Sequence, residues 1–152
     1  MMKATLIICE KPDAALHIAE ALSESGKAAK REKHGAPYYQ IDTKDERIIV
    51  CSAIGHLYQV DAKGISERRS YPVWDFAWKP KYQVEKGQRR QELWLRAIAE
   101  LSRGVDTYLN SCDYDIEGSL IGYMILKYAC NGAAKIAKRM KFSTLTEREL
   151  RE

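Results

Sequence analysis

The chain has 152 residues, 45% of them apolar and 30% charged, which is the balance of an ordinary soluble domain long enough to bury a core. Its 25 basic and 21 acidic residues leave a net charge of +4, which permits a nucleic-acid partner without demanding one. No apolar stretch approaches the roughly 20 residues that span a bilayer, and no cleavable signal pattern precedes the first apolar run. The expectation is a cytoplasmic protein away from the membrane. Cys9, Cys51, Cys112 and Cys130 form no CxxC pair, so buried free thiols are favoured over a metal site or disulfides.

Thr5-Leu6-Ile7-Ile8-Cys9 is short, apolar and rich in β-branched residues, and predicts a buried strand. Glu10-Lys11-Pro12-Asp13 breaks it, with Pro12 placed for a helix start. Ala14, Ala15, Ile18, Ala19 and Leu22 then repeat at helical spacing until Gly26. This strand–turn–helix unit opens a parallel α/β arrangement. Lys27 to Lys33 reads as a basic loop. Residues 37–42 and 47–51 read as two strands around the turn Thr43-Lys44-Asp45-Glu46. Residues 61–86 show little periodicity and hold Gly64, Pro72 and Pro80, which predicts a long ordered loop carrying Tyr71, Trp74, Phe76, Trp78 and Tyr82.

Helical spacing returns from Gln88 to Arg103. Val105 to Cys112 predicts a strand, Ile116 to Cys130 a helix, and Asn131-Gly132 its C-cap. Lys138 to Phe142 predicts a last short strand, and Thr144 with Glu147 has capping-box spacing. The expected fold is α/β: a mainly parallel sheet with helices on both faces, plus an inserted hairpin and aromatic loop across residues 27–86. A helix that no finished domain needs is getting under way at Glu152. Residues 1–152 are therefore expected to be one domain of a longer protein, with 143–152 starting the connection to a downstream domain.

Asp113-Tyr114-Asp115-Ile116-Glu117-Gly118 sits where the second long strand hands over to its helix. Packing gives no reason for three acids there, whereas Mg²⁺ is commonly held by one or two carboxylates, waters and substrate phosphates. Asp113 and Asp115 share a side of an extended turn, Glu117 falls in the first helical turn, and Gly118 leaves room for a phosphate or backbone to approach. The bland reading is a solvated acidic turn with Asp115 as N-cap. Glu10-Lys11 ends the first strand as Asp113 ends another, and open parallel sheets bind ligands beyond such strand ends. If the two strands are neighbours, Glu10 faces the acidic turn and Lys11 adds a cation for a phosphate; otherwise the two are a charge pair at a helix start. His56, in Gly55-His56-Leu57, serves either a phosphate contact or a turn, while His17 and His34 suggest only surface or core roles. The clusters Lys27/Lys30/Arg31/Lys33, Arg68/Arg69, Lys79/Lys81 and Arg89/Arg90 interleave with aromatics in a way that suits a nucleic-acid strand, with ordinary solvated charge as the default.

Four blocks in order carry a family resemblance: Leu6-Ile7-Ile8-Cys9-Glu10-Lys11-Pro12; Gly55-His56-Leu57; Asp113-x-Asp115-x-Glu117-Gly118; and Arg139-Met140-Lys141-Phe142-Ser143 with Thr146. Together they resemble the TOPRIM domain at the N-terminus of type IA DNA topoisomerases, and most of all its archaeal and topoisomerase-III-like branch. The resemblance implies a Rossmann-like TOPRIM fold and a place in an enzyme that breaks and rejoins one DNA strand through a tyrosine. By it, Glu10 and Lys11 are catalytic groups at the scissile phosphate, and Asp113, Asp115 and Glu117, with Glu10, bind Mg²⁺. His56 and Arg139 match positions near the DNA or the catalytic centre. The family's commoner wording is Asp-Pro-Asp-Arg-Glu-Gly, so Tyr114 and Ile116 are departures. The nucleophilic tyrosine of the family lies in a separate domain beyond residue 152, so this piece alone, expected to be monomeric, is expected to be inactive. The implied partners are single-stranded DNA or unwound duplex and the tyrosine-bearing domains of the parent protein. The alternatives are another TOPRIM enzyme, a primase or nuclease, and a non-catalytic DNA-binding module with a vestigial acidic site.

Overall fold

Burial on both faces selects the centre of the sheet. In the computed structural model, which describes residues 2–62 and 75–151, Lys3–Cys9 forms β1, with Leu6, Ile7, Ile8 and Cys9 all but inaccessible to solvent. A strand that is apolar on both sides belongs in a parallel sheet covered above and below. β1 lies between two parallel neighbours, β4 (Glu46–Ser52) and β7 (Thr107–Ser111). Across the six-stranded sheet the order is β2 (Ala29–Lys33), β3 (Ala36–Asp42), β4, β1, β7 and β8 (Lys138–Arg139). β2 and β3 join antiparallel, and β8 pairs parallel with β7. The predicted hairpin is thus built into the sheet, and its second strand, β4, runs beside β1.

Helices cover both faces. On one side α1 (Pro12–Leu22) sets Ala15, Ile18 and Ala19 against Ile7, Cys9 and Val50. On the other, Trp94, Ile98 and Leu101 of α3 (Arg89–Leu101) and Ile121 of α4 (Ile116–Met124) meet Leu6 and Ile8. The indole N–H of Trp94 donates to the carbonyl of Ser52 at 2.9 Å, so this large ring is buried without an orphaned donor. α4 runs on into a π-helical turn at Ile125–Ala129. Asn131 and Gly132, both left-handed at φ 53° and 82°, end it as the predicted C-cap does. All four cysteines are buried and free, and no helix among the described residues is long and apolar enough to cross a membrane.

Four expectations need correction. The basic stretch before residue 34 is not a loop. It is β2, an edge strand whose Lys30, Arg31 and Glu32 pair with Tyr39, Tyr38 and Pro37. Its side chains stay largely exposed, so no alternation betrays it. Residues 61–86 are not one loop either: β5 (Tyr58–Ala62) and β6 (Phe76–Pro80) form a separate antiparallel pair, followed by α2 (Lys81–Val84). Gly64, Tyr71, Pro72 and Trp74, with Arg68 and Arg69, lie outside the described residues. The last strand is shorter than predicted, ending at Arg139 and not at Phe142. Finally, the helix near the C-terminal end, α5 (Glu147–Arg151), is no spare stub. Its Leu150 is buried with the α1 cluster, and Arg151 donates to the carbonyl of Ser23 at 3.3 Å. Its start is tied by Glu149, which accepts from the backbone N–H groups of Ser143 and Thr144 and from the Thr144 hydroxyl, so the capping partner is Glu149 instead of Glu147.

Candidate functional site

β1 and β7 end side by side, with Cys9 in register with Ser111. Glu10 and Asp113 therefore leave the sheet at the same edge, the carboxyl ends of parallel strands where α/β sheets bind ligands. The condition that the sequence left open is met: the two strands are neighbours. Glu10 is buried, and its Oε2 is enclosed without a hydrogen-bond partner. The Lys11 ammonium lies 3.3 Å from Asp113 Oδ2 and 3.7 Å from Glu10 Oε1, bridging the two acids. The hydrogen bond to Asp113, then the charges of Asp113 and Glu10, hold the Lys11 pKa above its ordinary value.

Glycine lets α4 come this close. A Cβ on Gly118 would strike the backbone carbonyl of Asp113 and come within 2.7 Å of Glu10 Oε2. One turn on, a Cβ at Gly122 would collide with the side chain of Asn110. The two glycines are on one helix face, and that face lies down on the end of β7. Asn110 in turn accepts from the backbone N–H of Cys112 at 3.1 Å, shaping the exit from the strand. Burial pushes the adjacent Cys112 thiol up to about 12, so it is an inert neutral group under the site.

The other acids are already occupied. Asp115 is the N-cap of α4, and its Oδ1 accepts from the Gly118 N–H at 2.7 Å. Glu117 points to solvent and lies 3.1 Å from His56 Nε2, the Glu117 side chain being largely exposed and the His56 ring half-buried. Arg139 clamps the turn from the far side: its Nη2 donates to the carbonyls of Cys112 at 2.8 Å and Asp113 at 2.7 Å. Its Nε and Nη1 are buried without partners. The structure thus gathers Glu10, Lys11, Asp113, Gly118 and Arg139 at one edge, and it pairs His56 with Glu117. It does not draw all four acids onto one point. Among the described residues no three His, Cys, Asp or Glu side chains form a group able to hold a metal ion.

Two residues that the sequence reading did not single out for the site stand beside it. The Tyr114 ring has the Arg139 guanidinium at 5.4 Å from its centroid and the Lys141 ammonium at 4.7 Å. The available signal was the spacing of Arg139 and Lys141, which puts alternate side chains of an extended segment on one side.

Residues 5–145 match the Toprim domain. The chain belongs to the Toprim domain family. It is 45% identical over 148 residues to DNA topoisomerase 1 of Pyrococcus horikoshii, covering 95% of this chain and 21% of that protein. The corresponding protein of Methanocaldococcus jannaschii is 46% identical over 145 residues, covering 95% and 18%; that of Pyrococcus furiosus is 44% identical, covering 95% and 13%. The chain thus spans about a fifth, or less, of the length of these curated relatives. The matched Toprim span, residues 5–145, takes in Glu10, the acidic turn and Arg139.

Toprim domains generally bind Mg²⁺. The residues here fit such an ion in a limited form. Glu10 Oε2 is an enclosed, unpartnered, hard oxygen donor, and Asp113 supplies a second carboxylate held to it through Lys11. Two carboxylates completed by water and substrate phosphate are a usual Mg²⁺ environment.

Proposed function

We propose that this Toprim domain is the Mg²⁺- and phosphate-handling part of a type IA DNA topoisomerase, which breaks and rejoins one DNA strand through a tyrosine carried by a domain outside this chain. The observation that carries the reading is the buried, unpartnered Glu10 Oε2 beside the Lys11–Asp113 pair. Burying a carboxylate oxygen without a partner is costly, and a reacting phosphate with its ion supplies the missing partner.

In this reading the Glu10 carboxylate stands next to the scissile phosphate, while Lys11 orients the phosphate's charged oxygens. Glu10 and Asp113 would hold the ion, with Asp115 and Glu117 the further acids of the motif and Glu117 tied to His56. Two carboxylates and one ammonium carry a formal charge of −1, which repels a phosphodiester. When bound, Mg²⁺ reverses that sign and offsets the phosphate charge. Arg139 keeps the carbonyls of residues 112 and 113 fixed, and Gly118 leaves the approach open. The DNA is single-stranded or locally unwound, and the tyrosine-bearing domains complete the site.

Calorimetric titration of the chain with Mg²⁺, alone and with a single-stranded oligonucleotide, tests this. We expect Mg²⁺ binding that DNA strengthens and Glu10→Gln abolishes, and DNA binding that weakens steeply with salt. No Mg²⁺ binding even with DNA present would sink the reading in favour of a vestigial site. Metal-dependent strand hydrolysis by the isolated chain, lost in Asp113→Asn, would replace it with a nuclease.

A further inference from the structure

A hollow of about 290 Å³ opens beside the acidic turn, between Asp113 and Tyr114 on one side and Ala14, Met140, Phe142 and Leu145 on the other. Its size is at the lower end of ligand sites, which run from roughly 300 Å³ upward. Tyr114 also walls a second, more open hollow with Ile116, Leu120 and Tyr123. The ring therefore stands as a partition between two hollows. It is 66% exposed, a large fraction for an aromatic side chain without a buried role.

Two cations stand at the Tyr114 ring, and one of them, Lys141, is exposed. Lys141 and Arg139 both lie over the Tyr114 ring, and neither meets a carboxylate in an ion pair among the described residues. The one acid in the wall, Asp113, is already gripped by Lys11. An apolar slot beside an exposed aromatic, with the exposed Lys141 ammonium at the same ring, matches the chemistry of one nucleotide: a base to stack and a phosphate to neutralise. An apolar peptide segment would use the slot but leave the Lys141 ammonium without a partner.

We propose that Tyr114 is a base-stacking platform, holding one unpaired base of the DNA strand in the hollow while Lys141 meets a phosphate of the same strand. This rests on the proposed function, because it places the nucleotide next to the one whose phosphate lies at Glu10. It adds a grip on the base itself. The contact reads a π-face and not a base edge, so it holds any base.

The test is a coupling measurement on the full 152-residue chain with Mg²⁺ present. Affinities for a fluorescent single-stranded oligonucleotide are compared with those for oligonucleotides carrying one abasic position, walked along the strand. In the wild type we expect one position where loss of the base weakens binding about tenfold. Tyr114→Ala should weaken the intact strand by a similar factor and erase that positional penalty, whereas Tyr114→Phe should keep both. Lys141→Ala should lower the salt dependence but leave the positional penalty in place. A penalty of the same size in wild type and Tyr114→Ala, or none at any position, overturns the proposal and leaves the hollow to a polypeptide neighbour, while the Mg²⁺ and Glu10 results stand. A wild-type chain that binds no oligonucleotide with or without Mg²⁺ overturns the parent reading and this one together.

Discussion

The acids at the strand ends and the acids at the helix start live in different environments, although one strand-end acid, Asp113, stands only two residues before Asp115. Glu10 is buried with an oxygen that nothing satisfies. Asp115 and Glu117 are exposed, and each has found a partner, a backbone N–H for one and His56 for the other. A motif of three alternating carboxylates therefore does not supply three equivalent ligands. Of the strand-end oxygens, Glu10 Oε2 is the one kept in reserve, at a cost to stability, while Asp113 is paired with Lys11 and Asp115 caps the helix that follows.

The sharpest way to break that contrast is to close the gap between the two regions. Gly118→Ala pushes a methyl group into the backbone of Asp113 and against Glu10, and backbone cannot yield as a flexible side chain does. We expect a loss of about 3 kcal/mol in urea unfolding, at the upper end for overpacking, together with loss of Mg²⁺ binding. An unchanged midpoint would show that α4 can shift away and that the close approach is not required.

Glu10→Gln tests the reserved oxygen by itself. Removing a buried, incompletely paired charge should leave the fold as stable or up to about 1 kcal/mol more stable, while Mg²⁺ affinity falls by at least an order of magnitude. A destabilised variant with intact metal binding would mean that Glu10 is structural.

Asp115 should behave in the opposite way. As the N-cap of α4, Asp115→Ala should cost about 1 kcal/mol, and Asp115→Asn should recover most of it because the amide oxygen still accepts from Gly118. Equal losses in the two variants would show that its charge, and not its cap, matters to folding. The smallest effect belongs to the exposed pair. Glu117→Gln and His56→Ala should each change stability by no more than about 0.5 kcal/mol, and the double variant should be nearly additive, as for surface pairs generally.

Much of this architecture was legible in the residues. Leu6 to Cys9, apolar without alternation, announced a strand covered on both faces, and the helical spacing after Pro12 and Gln88 announced α1 and α3. Asp113 and Gly118 marked the candidate site before any fold was known. β2 was not legible, since Lys30 and Arg31 are held by backbone pairing to β3 and bury little. The β5–β6 pair joins segments distant in the chain, as at Val60 and Trp78, and no local pattern reports such a pairing. Glu149 displaced Glu147 as the cap of α5 because side-chain reach, not spacing alone, selects the partner.

By itself the sequence determined the α/β class, the family blocks and which acids were candidates, because local spacing and residue chemistry act within a few residues. Only the tertiary structure decided that Glu10 and Asp113 meet, because that depends on β1 and β7 being adjacent and in register. The same is true of the division of labour among the acids. Whether a carboxylate is buried, capped or paired is a property of what packs around it, and no spacing along the chain carries that information.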